Sequence, residues 1–274
     1  MLILKRILDF YIFSNLHVAL AGFCITKITL IKYNVSNSWV PFFVLFCILA
    51  SYNFIRFYEL KTKRLSWFKN WFLKNRFGIL FLSIVSIIMV FFITFFTKFN
   101  LKSFIILFPF ALMTVFYVIP FFKFKNIEFS FRYFPAIKIF SIAVAWAGIS
   151  VLFPLEEAEI KFNATVYIEF IQRILILIAI TIPFDIRDID SDFKSLKTLP
   201  QMLGVKNAKI LGILLLLLFV ILGFFNNSFF KTDILIAIIT GAFLWFSTEN
   251  RTRYYTGFWV ESIPIVWLFL ITLI

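Results

Sequence analysis

Apolar stretches long enough to cross a bilayer recur along the whole chain, and no other feature constrains the fold as tightly. A hydrocarbon core about 30 Å thick needs about 20 consecutive apolar residues in a helix. Runs approaching that length lie at about 10–31, 39–57, 77–96, 101–120, 135–153, 167–184, 208–225, 232–247 and 258–274. The mean hydropathy of +0.98 excludes an ordinary water-soluble domain. In lipid every backbone polar group needs an internal partner, so such runs are read as helices. The expected architecture is all-α: a polytopic bundle of about nine transmembrane helices, forming a single integral membrane domain over residues 1–274.

The charges test that reading. The net charge is +13, yet the basic residues sit between apolar runs rather than in a contiguous patch, so topology explains them better than nucleic acid does. Arg56, Lys61, Lys63, Arg64, Lys69, Lys74 and Arg76 fall in the second connection, and Arg187, Lys194, Lys197, Lys206 and Lys209 in the sixth. The intervening connections are poorer in cations, and one carries Glu156, Glu157 and Glu159. The alternation places the N-terminus and the long polar loops in the cytoplasm and the C-terminus on the opposite side. Lys5 and Arg6 followed by an apolar run resemble a signal peptide. Asn15 and His17 interrupt that run and hydrophobicity continues to about Ile31, so a retained first span is expected. Between spans two and three, Leu65–Lys74 mixes Trp and Phe with Lys, as an interfacial helix or an aromatic belt would. Cys24 and Cys47 lie inside apolar runs without ligand spacing and read as packing residues.

One polar stretch stands out. Asp185, Asp188, Asp190 and Asp192 hold four of the fourteen acids within eight residues, between two apolar runs. At about 100° per residue, Asp185, Asp188 and Asp192 share one helix face and Asp190 points away. Clustered carboxylates repel, and a hard cation relieves that repulsion. A solvated loop with acids set among Arg187, Lys194 and Lys197 accounts for the spacing equally well. Elsewhere, Glu169 and Arg173 have the order and spacing of a helical ion pair. Asn15, His17 and Glu261 are candidates for a cavity lining. One His and no Gly-rich phosphate loop leave most soluble-enzyme mechanisms without their parts.

Asp185-Ile-Arg-Asp188-Ile-Asp-Ser-Asp192, followed by Lys197-Thr198-Leu199-Pro200, resembles the second aspartate motif of the UbiA-type intramembrane prenyltransferase superfamily. Pro120-Phe-Phe-Lys123 is similar to that family's Pro-x-x-Lys after its fourth helix, and about nine helices match its architecture. The resemblance implies transfer of an isoprenoid group from a prenyl diphosphate to an acceptor in the membrane. It implies Mg2+ bound by Asp185, Asp188 and Asp192, with Lys123 and Lys197 contacting diphosphate. The first motif departs from the family form N-x-x-x-D-x-x-x-D. Asn53 is present, but Phe57 and Lys61 stand where the aspartates belong. Glu59 projects about 120° away from Asn53 on a helix, while Arg56 shares its face. Asn53, Arg56 and Lys61 are therefore expected to bind diphosphate directly, in place of a second ion. A non-catalytic isoprenoid- or lipid-binding homologue and a transporter are the other readings.

Overall fold

A computed structural model describes residues 2–61, 69–120, 122–124, 127–129, 137–190, 196–226 and 229–273. Helices dominate: α1 (Leu2–Phe13), α2 (Leu16–Lys32), α3 (Trp39–Lys61), α4 (Lys69–Thr97), α5 (Leu101–Val118), α6 (Ile137–Ala147), α7 (Phe153–Glu157), α8 (Ala164–Arg187), α9 (Leu199–Leu203), α10 (Val205–Asn226), α11 (Phe230–Trp245) and α12 (Ile263–Leu273). A π-helical turn at Gly148–Leu152 joins α6 to α7, and another at Tyr255–Val260 leads into α12. A small antiparallel hairpin, β1 (Phe122–Phe124) and β2 (Ile127–Phe129), follows α5.

Among the described residues, six helical stretches are long and apolar enough to cross a membrane, and a seventh results if α1 and α2 form one span bent by 56°. The protein is thus a polytopic helical bundle. The remaining apolar runs of the sequence correspond to α5 and α11, of 18 and 16 residues. The break between α1 and α2 falls at Asn15, whose φ of 68° is left-handed. Asn tolerates that region better than most residues because its short polar side chain bonds locally. The Leu65–Lys74 stretch is described only from Lys69, where it is the opening of α4. There Trp71 packs on Phe10 and Phe13 of α1, at ring separations of 6.4 and 5.5 Å.

The outward faces carry the apolar surplus. Phe77, Phe81, Ile88, Phe91 and Phe95 on α4, and Leu214, Leu217, Ile221 and Phe224 on α10, are exposed. In a bilayer such faces meet acyl chains, not water. Inside, one cluster joins α2, α8, α10, α11 and α12 around Ile176, Phe219, Ile236 and Trp267. Another joins α2, α3, α4 and α7 around Val44, Ile93 and Phe153, with Phe43 against Phe99 and Phe153 at 5.0 and 5.3 Å. Gly148 permits a close approach: a Cβ there would lie 2.3 Å from the Phe110 ring of α5.

The helices alternate in direction and collect polar groups at two ends. The starts of α2 and α6 and the ends of α3 and α8 meet around one cavity. At the other end, Lys32 closing α2 meets Glu169 near the start of α8 and Asp233 near the start of α11. Glu169 and Asp185 are separated along α8 by roughly 24 Å, at 1.5 Å per residue.

Candidate functional site

The cavity has a volume of about 350 Å³. That falls within the range of small-molecule sites, roughly 300–1,000 Å³. Its walls are apolar and aromatic: Ile12, Phe13, Ile55, Tyr52, Trp146, Leu177 and Phe184 are among them. Trp146 donates its indole N–H to the Tyr52 hydroxyl at 3.2 Å, joining α6 to α3. Arg56, Glu59, Lys138, Asp185, Arg187, Asp188, Arg253 and Glu261 also line it. Ionised groups in an apolar bundle are costly unless paired or in contact with water, which is why they gather at one lined space.

Most of these charges are held in pairs. Lys138 Nζ lies 2.9 Å from Asp185 Oδ1. Arg187, at the last turn of α8, donates through Nε to Asp188 Oδ1 at 2.8 Å and also bonds Thr256. Arg56 lies 3.1 Å from Glu59, three residues along α3. Burial and the neighbouring Arg187 guanidinium draw the Arg253 pKa downward, against the opposing pull of Asp188. At the rim the Tyr254 hydroxyl donates to Asp9 of α1, and with burial this pushes the phenol up to about 12.

The residues singled out from the sequence are distributed unevenly. Arg56, Asp185 and Asp188 reach the same cavity. Asn53 is buried behind it and accepts from Asn15 Nδ2 at 2.7 Å, and Asn15 is a lining residue. Lys61, at the end of α3, and Lys197 are exposed and do not line the cavity. The Lys123 side chain and Asp192 lie outside the described residues. The shared helix face expected for Asp185, Asp188 and Asp192 stops short, because α8 ends at Arg187. Asp188 caps it at φ −94° and ψ 8°, and its N–H bonds Phe184 O at 3.0 Å. Asp190, in the turn beyond, is exposed.

Lys197-Thr198-Leu199-Pro200 serves as a helix start. Lys197 is left-handed at φ 43°, and the Thr198 N–H bonds Gln201 Oε1 at 3.1 Å. Pro200 occupies the first turn of α9, where a missing N–H costs nothing.

Two sequence expectations need correcting. Glu59 reaches the cavity beside Arg56, so this half of the site carries an ion pair and not cations alone. His17 is not a lining residue. It is 1% exposed, bonds Tyr11 at 2.8 Å and the Phe258 carbonyl at 3.0 Å, and stacks on the Phe258 ring. Glu261 does face the cavity. Lys138 was missed, although a lysine inside an otherwise apolar run was itself a signal. Arg253 stands in a polar connection, where nothing local marks it as a lining residue.

Asp185 and Asp188 are carboxylates at this cavity that could hold Mg2+. That ion is usually held by one or two carboxylates together with substrate phosphates and water. Among the described residues no group of three or more His, Cys, Asp or Glu is placed to hold a metal by itself.

No protein-family model matches the chain, and no curated protein and no solved structure is detectably similar to it.

Proposed function

We propose that the cavity binds an isoprenoid diphosphate and transfers its prenyl group to an acceptor within the membrane. The observation that carries this reading is the pairing of one apolar, aromatic-walled cavity with Arg56, Lys138, Arg187, Arg253, Asp185 and Asp188 around it. A prenyl diphosphate has the same two-part chemistry. Its tail is apolar and its head is a polyanion. The resemblance of the Asp185–Pro200 segment to the UbiA-type motif supports the same substrate. In this reading the chain is a UbiA-like bundle of nine crossings, with α5 and α11 as short spans. The N-terminus and the cavity mouth face the cytoplasm, and the C-terminus faces the other side.

The chain's own residues divide the work. Lys138, Arg187, Arg56 and Arg253 neutralise charge growing on the departing diphosphate, in a site where low polarity strengthens each contact. Asp185 and Asp188, with Asp192, would hold Mg2+ against the diphosphate oxygens, and the bound ion would supply further neutralisation of the leaving group. Phe13, Tyr52, Trp146 and Phe184 exclude water from the allylic carbon and present ring faces to developing positive charge.

The test is diphosphate release by the purified full chain in lipid nanodiscs, given a series of prenyl diphosphates, Mg2+ and a membrane lipid extract as acceptor source. Release that requires Mg2+ and is lost in Asp185→Ala and Asp188→Ala is expected. Turnover that survives both substitutions would sink the metal role. A specific observation favours one alternative: Lys138 and Arg187 already neutralise Asp185 and Asp188. A non-catalytic isoprenoid-binding protein would show saturable donor binding without diphosphate release under any acceptor condition.

A further inference from the structure

The acids of the cavity are not equivalent. Glu59, Asp185 and Asp188 are ion-paired to Arg56, Lys138 and Arg187. The Glu261 carboxyl also lines the cavity. It feels Arg187 and Arg56 through space, but among the described residues its side chain makes no hydrogen bond and no ion pair. A carboxylate facing an apolar-walled space without a donor is an acceptor awaiting one.

The backbone is shaped to put it there. Tyr255–Val260 is π-helical, and the Glu261 N–H bonds Thr256 O at 3.1 Å, five residues back. Widened turns of this kind occur often at functional sites. The helix resumes at Ile263, and Pro264 brings no N–H to the junction. The wide turn is pinned from outside. His17 bonds the Phe258 carbonyl at 3.0 Å and Ser262 Oγ at 3.1 Å, and Arg187 bonds Thr256. Residues on both sides of Glu261 are therefore held by other helices, while its own side chain is left for the cavity.

We propose that Glu261 is the proton-accepting group of the site, and that it receives a hydrogen bond from a second ligand carrying an O–H group. This rests on the prenyl-transfer reading for its chemical consequence. In the step, the donor's carbon–oxygen bond breaks and diphosphate leaves with the electron pair. The second ligand's oxygen bonds to the allylic carbon. The proton of that hydroxyl passes to Glu261, which becomes a neutral acid and returns the proton to water at the cavity mouth. Arg187 and Arg56 line the cavity with it. Arg253, Asp188 and Tyr52 line the same space.

The experiment has a binding arm and a turnover arm, both on the full chain in nanodiscs. The binding probes are 2-naphthol and 2-methoxynaphthalene, which differ in the hydroxyl hydrogen. Wild type binds the naphthol at least about tenfold more tightly, as expected for a hydrogen bond to a charged acceptor. In Glu261→Met that ratio falls to about one. In Glu261→Gln, which keeps the shape and a weaker acceptor, it falls partway. No preference in wild type, or the same preference in both variants, overturns the assignment.

The turnover arm adds a prenyl diphosphate and follows the naphthyl ether. A loss of roughly a hundredfold in kcat for Glu261→Gln is expected, with donor KM within about threefold of wild type. Equal ether formation in wild type and variant overturns the proton role and leaves prenyl transfer standing. A naphthol preference that depends on Glu261, without any ether formation, leaves the hydrogen-bonding site standing and sinks the transfer reading.

Discussion

Asn15 shows how much a single residue can decide in this fold. It breaks the first apolar run at a left-handed φ of 68°, lets α1 turn away from α2, and donates to the buried Asn53 at 2.7 Å. The left-handed region costs an ordinary L residue about 1–2 kcal/mol. Asn15→Gly is therefore expected to lose only the side-chain hydrogen bond. Asn15→Ala loses that bond and adds the backbone strain, so it should be the less stable variant by about 1 kcal/mol in denaturation of the detergent-solubilised protein. Equal stabilities would show that α1 bends for another reason. The Lys138–Asp185 pair sets a second residue-scale test. Asp185 is 2% exposed, so its removal takes a buried carboxylate from beside the Lys138 ammonium. Breaking a buried pair costs up to about 3–5 kcal/mol, while replacing both partners by apolar groups is close to neutral. Asp185→Leu with Lys138→Met should thus be more stable than Asp185→Leu alone. Additive losses in the two single variants and the double would mean that the pair is uncoupled.

Among elements, α8 carries the most. Its cavity end holds Asp185 and Arg187, and its opposite end holds a buried network. Arg173 lies 2.7 Å from Glu169 and donates to the Ile25 carbonyl at 2.6 Å. Lys32 bridges Glu169 and Asp233 at 3.2 and 3.3 Å. Both cations lie over the Trp267 ring, at 5.0 and 5.2 Å. The network thereby ties α2, α8, α11 and α12 at the end away from the cavity. The i,i+4 pair within it was legible in the sequence, since helical spacing alone brings Glu169 to Arg173. Lys32 and Asp233 were not, because nothing local relates the end of one helix to the start of another. The same limit hid Lys138 and Arg253 from the site, and Glu59 was turned away by an angle argument that ignored the reach of its side chain toward Arg56. The aspartate stretch was legible because it interrupts apolar runs, but its helical register held only until α8 stopped at Arg187. Arg173→Met should lower the thermal unfolding midpoint clearly, leaving Glu169 with Lys32 and Asn226 as partners. Adding Glu169→Leu should recover part of that loss. Two independent losses would show that the network is a set of separate contacts.

At the scale of the whole molecule, the polar groups fall into two layers separated by apolar helix. One layer contains the cavity and the other the Lys32–Glu169–Arg173–Asp233 network. Both layers follow from helices that alternate in direction, a pattern already present in the sequence as alternating charged and charge-poor connections. The connections at the cavity end carry the denser Lys and Arg, the bias that cytoplasmic connections favour. The cavity mouth should therefore open to the cytoplasm, where soluble phosphate chemistry is available to it. Two exposed lysines at opposite ends report on this directly. Lys197 follows α8 at the cavity end, and Lys161 precedes it at the other. Cys24 and Cys47 are the only cysteines and neither forms a disulfide, so both are replaced by Ala to give a silent background. In intact cells a membrane-impermeant maleimide should label Lys161→Cys. Lys197→Cys should react only after the membrane is permeabilised. The reversed pattern would invert the bundle and place the cavity on the outer side, and then a cytoplasmic prenyl diphosphate could not reach Asp185 and Lys138 from the open end.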